Sequence, residues 1–199
     1  MTLFLLSTRL TWKRALAGVA VFGLSFASLP VWPDQDAFAA PATVLRQITA
    51  CPDPEALAAS AQVAEQVWRD RLSYESLCLY MASSALAASD AAKATDLYVL
   101  ARVRSRYDLA RCETWPHGSA SSATAALRMG AEQALNAAGV KTILPQMIAV
   151  ARLDTTYDYV SDDLEQMCDG GPLKPTDAWK AERRSMQAAA DAASTPPVP

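Results

Sequence analysis

Apolar residues recur at intervals of three or four along most of the chain, which is the spacing of an amphipathic α-helix. The clearest example is a nearly continuous apolar face formed by Leu97, Leu100, Val103 and Tyr107. The same pattern predicts helices over 53–71, 73–88, 90–112, 119–138, 140–153 and 154–168 and from about Thr176 onward. Only "VLRQITA" (44–50) could form a strand, and a short helix is an equal alternative there.

Residues at the ends of these segments support the predicted boundaries. Asp53 is a good N-cap, and Pro54 suits the first position of a helix. Gly139 is a natural residue just after a helix, whereas Pro145 should kink or break the segment that contains it. Short connections between six or seven helices predict an all-α fold, an antiparallel helical bundle stapled by disulfides. A solenoid is the second choice, because no repeat of fixed period is visible.

The first 39 residues have the pattern of a secretory signal peptide. Three basic residues precede the uncharged apolar run 15–29, and "AFA" at 37–39 is a small-x-small cleavage motif. The alternative is an uncleaved anchor, because the uncharged stretch from 15 to 32 has 18 residues, near the lower limit for crossing a bilayer. Pro30 and the many small residues favour cleavage.

Cleavage would divide the chain into a signal peptide (1–39), a single helical domain (40–194) and a disordered tail (195–199). It would remove three of the 18 basic and two of the 21 acidic residues, so the mature chain would carry a net charge of −4. This mildly acidic chain lacks the basic field that attracts nucleic acid or an anionic membrane. The signal peptide predicts a periplasmic location. Nucleic acid is not an expected partner, and a membrane is one only if the signal is retained.

All four cysteines, Cys51, Cys78, Cys112 and Cys168, lie after the signal. An even number of cysteines in an exported protein predicts two disulfides. Zinc sites use closer pairs of ligands than these separations of 27, 34 and 56 residues, so neither a metal nor a cofactor is expected. In an ideal up-and-down bundle Cys51 and Cys168 fall at the same end, because each helical residue rises about 1.5 Å. This pairs Cys51 with Cys168 and leaves Cys78 for Cys112.

The stretch "RCETWPHGSASS" (111–122) holds the single histidine of the chain, His117, beside a cysteine, a glutamate and a tryptophan. A general-base histidine needs a nucleophile or an orienting carboxylate within hydrogen-bond reach. Glu113 and the serines are close in sequence, but proline and glycine favour a turn here and a serine can cap the next helix. We therefore predict a surface loop, with Trp115 packed back on the helices.

Four arginines occur in "ARVRSRYDLAR" (101–111), and such a density suits binding of carboxylates or phosphates on a partner. The predicted binding surface consists of Arg102, Arg104, Arg106, Tyr98 and Tyr107. The alternative is a solvated helix face with internal ion pairs, for example between Arg104 and Asp108, which are one turn apart.

Asp154 and Asp158 are one turn apart, as are Asp158 and Asp162, and this spacing could serve a divalent cation or a catalytic carboxylate pair. The EF-hand spacing and its glycine are absent, which favours an acidic exposed helix that would suit a basic partner. The chain also contains no phosphate-binding glycine loop, HExxH motif, dinucleotide fingerprint or nucleophile elbow.

These patterns lead to three hypotheses of function. The first is an exported periplasmic domain that binds an envelope protein without catalysis, as inhibitors and immunity proteins do. The second is an accessory subunit of an envelope complex, anchored in the inner membrane by a retained signal. The third is a hydrolase whose carboxylate or histidine chemistry matches no familiar motif.

Overall fold

The structure, a computed structural model, describes residues 46–48, 51–116, 118–161 and 164–194. The predicted signal peptide (1–39) and C-terminal tail (195–199) lie outside the described residues. Within these residues the chain forms eight α-helices, two short 3₁₀ turns and two three-residue strands. The prediction of an all-α fold stapled by disulfides is confirmed.

The helices are α1 (Pro54–Ala59), α2 (Ala61–Arg69), α3 (Ser76–Leu86), α4 (Ala91–Ala110), α5 (Ser119–Ala137), α6 (Leu144–Ala151), α7 (Leu164–Met167) and α8 (Thr176–Ser194). Strand β1 (Arg46–Ile48) pairs in parallel with β2 (Tyr159–Ser161), with Gln47 opposite Val160. Of the two alternatives for this stretch, the structure shows a strand at its described residues, Arg46–Ile48. Its partner strand lies in a segment that was predicted to be helical.

Several helix ends follow the capping rules that the sequence indicated. The side chains of Asp53 and Asp90 accept first-turn backbone N–H groups at 3.0 and 3.1 Å, so each caps the helix that follows it. Gly139 follows α5 with a φ of +85°, a conformation in which a Cβ would be strained. Pro145 breaks the predicted helix 140–153, which begins only at Leu144, and it does not kink α6. It occupies the first turn of α6, where its missing N–H has no helical partner to lose.

Two predicted helices are wrong in their extent. The segment 53–71 is interrupted at Ser60, whose extended backbone (φ −133°, ψ 110°) separates α1 from α2. The segment 154–168 contains a 3₁₀ turn, β2 and the four-residue α7 in place of one helix. Aromatic and β-branched residues favour strands, and Tyr157 and Tyr159 are buried in the core rather than exposed on an acidic helix.

Helix α4 is the central element of the described residues. It packs against α3, α5, α6, α7 and α8, and 12 of its 20 residues are buried. Around its first half the core is apolar, with Leu79, Leu97 and Val99 at its centre. Around its second half lies a smaller cluster made of Ile48, Val103, Tyr107, Tyr157 and Tyr159. Because neighbours cover α4 on several sides, polar side chains of this helix also face the interior.

The disulfides join Cys51 to Cys78 and Cys112 to Cys168, with Cα–Cα distances of 5.1 and 5.6 Å. The prediction of two disulfides is confirmed, but the predicted pairing of Cys51 with Cys168 and of Cys78 with Cys112 is wrong. That pairing assumed continuous helices over 53–71 and 154–168. Instead, α1 packs against α3, and the cysteine after the short α7 lies beside the C-terminal end of α4.

Candidate functional site

The five residues predicted to form a binding surface do not share one exposed face. Tyr98, Arg104 and Tyr107 are buried, with exposed fractions of 1%, 0% and 2%. Arg102 is half-buried, and Arg106 is exposed. The structure therefore does not bring these five residues together on one exposed surface, because α4 is enclosed by its neighbours.

Two of these side chains, Arg104 and Tyr107, belong to a buried group centred on Arg111. The Cζ atom of Arg111 lies 3.9 Å from the ring centre of Tyr107, 4.7 Å from that of Trp179 and 4.9 Å from that of Tyr159. Its Nη2 donates to the carbonyl oxygen of Tyr159 at 2.7 Å, and its Nη1 contacts Asp108 Oδ1 at 3.3 Å. We call Arg104, Tyr107, Asp108, Arg111, Tyr159 and Trp179 the buried arginine cluster. Desolvated cation–π contacts of this kind contribute about 2 kcal/mol each.

Arg104 supplies hydrogen bonds to backbone that lies outside the α-helices. Its Nη1 donates to the carbonyl oxygens of Tyr74 at 2.5 Å and Arg71 at 3.3 Å, and its Nη2 donates to that of Leu72 at 3.1 Å. These carbonyls belong to the 3₁₀ turn between α2 and α3 and to the residue after it. One side chain thus fastens the α2–α3 connection to α4.

Asp108 is the acidic member of the cluster and is fully buried. Its Oδ1 accepts the hydroxyl of Tyr159 at 2.8 Å, whereas its Oδ2 has no hydrogen-bond partner within the described part of the chain. Burial raises the pKa of the Asp108 carboxyl, and the charge of Arg111 and the hydrogen bond from Tyr159 oppose this rise. Burial and the nearby carboxylate raise the pKa of the Tyr159 hydroxyl, so this group remains a donor at neutral pH.

The buried arginine cluster contributes to the stability of the fold, because Arg104, Asp108 and Arg111 are closed to solvent and bond to their own chain. Sequence reasoning missed the role of Asp108 and Arg111, although a signal for it exists. Leu97, Ala101, Arg104, Asp108 and Arg111 follow one another at spacings of three or four, so the charges continue an apolar stripe. Charged residues on such a stripe indicate buried, partnered charges.

A second polar group joins α4 to α5 at Glu132. Its Oε1 accepts the hydroxyl of Tyr98, contacts Arg128 at 3.1 Å and lies 3.8 Å from Arg102. Burial, together with the hydrogen bond to Glu132, raises the pKa of Tyr98. Two residues of the predicted binding surface, Tyr98 and Arg102, therefore contact a carboxylate of their own chain.

The loop between α4 and α5 is held at both ends by the turn that follows α7. At its start, next to the second disulfide, the N–H of Glu113 donates to the carbonyl oxygen of Pro172 at 3.0 Å. At its end, the N–H of Gly118 donates to Asp169 Oδ2 at 2.6 Å. Asp169 has a φ of +53°, a left-handed conformation that aspartate tolerates better than most residues. These two hydrogen bonds fix the position of the loop against the turn after α7.

Trp115 lies between these two attachments and is more than half exposed. The prediction that it packs back on the helices is wrong, because the loop follows the turn after α7 rather than the core. The N-cap of α5 is Gly118 and not one of the serines. His117, the candidate general base, lies outside the described residues.

The carboxylates in the described part of 154–168 do not converge. Asp154 accepts from Gln187 at 2.7 Å and pairs with Arg183 at 2.9 Å, and these contacts lower its pKa. Asp158 is half-buried beside β2, and Asp162 lies outside the described residues. Among the residues that the structure describes, no three His, Cys, Asp or Glu side chains are placed to hold a metal ion.

Four large apolar side chains of the described residues are more than half exposed: Trp115 (56%), Met129 (56%), Leu144 (57%) and Leu153 (55%). Two of them lie in or next to α6, an apolar helix without a buried residue. No helix within the described ranges has both the length and the apolar character needed to cross a bilayer. Sequence periodicity did not single out these exposed residues, because it cannot tell which stripe a neighbour covers.

Two further findings concern the class of protein. The two disulfides fit an oxidising compartment outside the cytosol. No protein-family model, curated protein or solved structure matches the chain.

Proposed function

We propose that the chain is an exported periplasmic domain that binds a protein of the cell envelope without catalysis, as an inhibitor or immunity-type module. The observation that carries this proposal is the distribution of its side chains. The charged residues Arg104, Asp108 and Arg111 are closed to solvent and bonded to their own chain, whereas large apolar side chains are exposed. Exposed aromatic side chains are enriched among the residues that contribute most to protein interfaces.

Export is supported by two independent features. The first 39 residues have the charge, apolar run and cleavage motif of a signal peptide. All four cysteines of the chain are paired in disulfides, which form and persist in compartments such as the periplasm.

The exposed apolar side chains are large enough to support binding. An aromatic side chain buries about 150–250 Å² when it is fully covered. At 56% exposure, Trp115 leaves on the order of 120 Å² uncovered, and burying this area contributes about 3 kcal/mol at about 25 cal/mol per Å². A few such residues supply the hot spots on which most protein interfaces depend.

Export is tested by producing the full chain and measuring the intact mass of the form found in the periplasm. We expect an N-terminus at Ala40 and a mass lower by four hydrogen atoms than that of the fully reduced chain. A chain that keeps Met1 would instead support the membrane-anchored accessory subunit.

Binding is tested by immobilising the exported protein and capturing envelope proteins from an extract. A captured protein is then purified and titrated against the domain in a calorimeter, where we expect saturable binding. The control is the same domain after reduction and alkylation of its cysteines. The proposal is contradicted when no purified envelope protein binds the native domain more tightly than the control.

A further inference from the structure

We propose that Trp115 anchors the docking surface of this domain and that its occupant is a cationic segment of the partner, carrying arginine or lysine. This inference rests on the proposed binding function and assigns it to one place on the molecule. We call Trp115, Glu113, Glu165 and Asp169 the Trp115 surface. All four residues are exposed.

The loop that carries Trp115 is held in place before a partner arrives. Glu113 bonds to the turn after α7 through its N–H, at 3.0 Å, and Gly118 does so at 2.6 Å. Since consecutive Cα atoms are about 3.8 Å apart, the Trp115 Cα lies within about 8 Å of that of Glu113 and about 11 Å of that of Gly118. A Cβ on Gly118 would lie 2.6 Å from the carboxyl carbon of Asp169, so loop and turn are in close contact. A loop whose backbone is already positioned loses little entropy on binding.

The charge around Trp115 selects the chemistry of the partner. Glu113 and Glu165 are exposed, and Asp169 adds a third carboxylate at the contact between loop and turn. Within the described parts of 111–118 and 164–177, the two basic residues are withdrawn from this surface. Arg111 is fully buried, and the ammonium group of Lys174 contacts Glu182 at 2.6 Å. The exposed charged side chains of these two described segments are therefore acidic, and they attract a positively charged segment.

An exposed indole also suits such a segment. A guanidinium or ammonium group is attracted to the face of a tryptophan ring, and the attraction grows as water is excluded. One arginine of the partner could stack on Trp115 while its neighbours pair with Glu113 and Glu165. The aromatic ring and the carboxylates thus favour the same class of ligand.

The inference is tested with three short synthetic peptides, in which alanine alternates with arginine, glutamine or glutamate. The protein is the exported form, and binding is followed by calorimetry. The matched variants are Trp115→Ala and Met129→Ala, because the two side chains have the same exposed fraction of 56%. Far-UV circular dichroism verifies that both variants keep the helical fold.

We expect the arginine peptide to bind best and Trp115→Ala to weaken it about tenfold, with little change for Met129→Ala. Glu113→Gln and Asp169→Asn should each weaken binding too, since asparagine keeps the acceptor for Gly118 but loses the charge. Raising the ionic strength from about 0.01 M to about 0.15 M shortens the Debye length from about 30 Å to about 8 Å and should weaken binding further. Equal binding of the arginine and glutamine peptides, or equal effects of the two alanine variants, overturns the inference.

The two proposals fail in different ways. When Trp115→Ala still binds the captured envelope protein as tightly as the native domain does, the binding function stands and the Trp115 surface is wrong. When the native domain binds no envelope protein, the binding function itself fails, whatever the peptides show.

Discussion

Replacing Arg111 by methionine removes the central side chain of the buried arginine cluster while keeping much of its volume. The substitution removes the hydrogen bond to the Tyr159 carbonyl at 2.7 Å and the contact with Asp108 at 3.3 Å. It also leaves a buried carboxylate with one neighbouring cation fewer. Removing one partner of a buried ion pair costs about 3–5 kcal/mol. Because domains are stable by only about 5–15 kcal/mol, we expect the substitution to remove a large fraction of the free energy of unfolding.

The assay is urea unfolding followed by far-UV circular dichroism, with Arg69→Met as the control. The Arg69 side chain is 63% exposed and contacts Glu65 at 3.5 Å, so its loss should change the free energy of unfolding by about 0.5 kcal/mol or less. The comparison separates the effect of burial from the effect of losing an arginine in an ion pair.

A double-mutant cycle with Asp108→Asn isolates the buried pair. Asparagine keeps an oxygen that can accept the Tyr159 hydroxyl, so the single substitution should cost less than Arg111→Met. In the double variant no buried carboxylate is left without its partner. The decrease in its free energy of unfolding should therefore be smaller than the sum of the two single decreases by about 1–3 kcal/mol. A loss below about 1 kcal/mol for Arg111→Met, or strict additivity in the cycle, would refute this account of the cluster.

Three further predictions address other parts of the fold. Burial raises the pKa of Tyr80 from 10.0 in the unfolded chain to about 12 in the folded one. The neutral hydroxyl therefore favours the folded state, and this contribution is fully present below pH 10. That contribution, about 3 kcal/mol, is lost as the pH rises from 10 to 12, and tyrosinate absorbance should rise together with the loss of helical signal. Replacing Cys112 and Cys168 together by alanine should cost about 4 kcal/mol in urea unfolding, because their separation of 56 residues closes a long loop, and an unchanged midpoint would contradict this. Gly118→Ala should destabilise by about 1 kcal/mol, because its Cβ would lie 2.6 Å from the Asp169 carboxyl carbon and displace that side chain from its hydrogen bond with the Gly118 N–H. Gly130→Ala, with open space around it, should instead stabilise by about 0.5–1 kcal/mol. Equal melting temperatures for the two glycine variants would count against the close contact at Gly118.

Features that depend on neighbouring residues could be predicted from the sequence. The helix α4 and the helix α5 follow from apolar periodicity, and their limits follow from Asp90 and Gly139, which act within one turn of the chain. The presence of two disulfides follows from the even number of cysteines and the signal-like start of the chain.

Features that depend on residues far apart in sequence could not be predicted in the same way. The pairing of the cysteines required knowing that Ser60 interrupts a helical stretch and that β2 replaces part of another. Parallel pairing of β1 with β2 joins segments more than a hundred residues apart, and no local pattern specifies it. The exposure of Trp115 likewise depends on a turn that lies about fifty residues further along the chain.

The failure to predict the buried arginines has a specific physical cause. Charged residues are almost never fully buried unless they are paired, so an arginine-rich stretch was interpreted as a surface. Arginines become buried where non-helical backbone packs against a helix. The carbonyl groups of that backbone need donors, and the helix cannot supply them because its own N–H groups are bonded within the helix.

Arginine meets this need on α4 better than any other side chain, since it presents five donors in a planar fork. Arg104 serves the carbonyls of the turn between α2 and α3, and Arg111 serves the carbonyl of Tyr159 in β2. Arg111 is also the C-cap residue of α4, where the helix dipole favours a positive charge. The charged half of α4 is therefore the half against which non-helical segments pack, and Asp108 balances part of the positive charge gathered there. Of the four arginines that suggested a partner outside the chain, Arg104 and Arg111 bond instead to the backbone inside it.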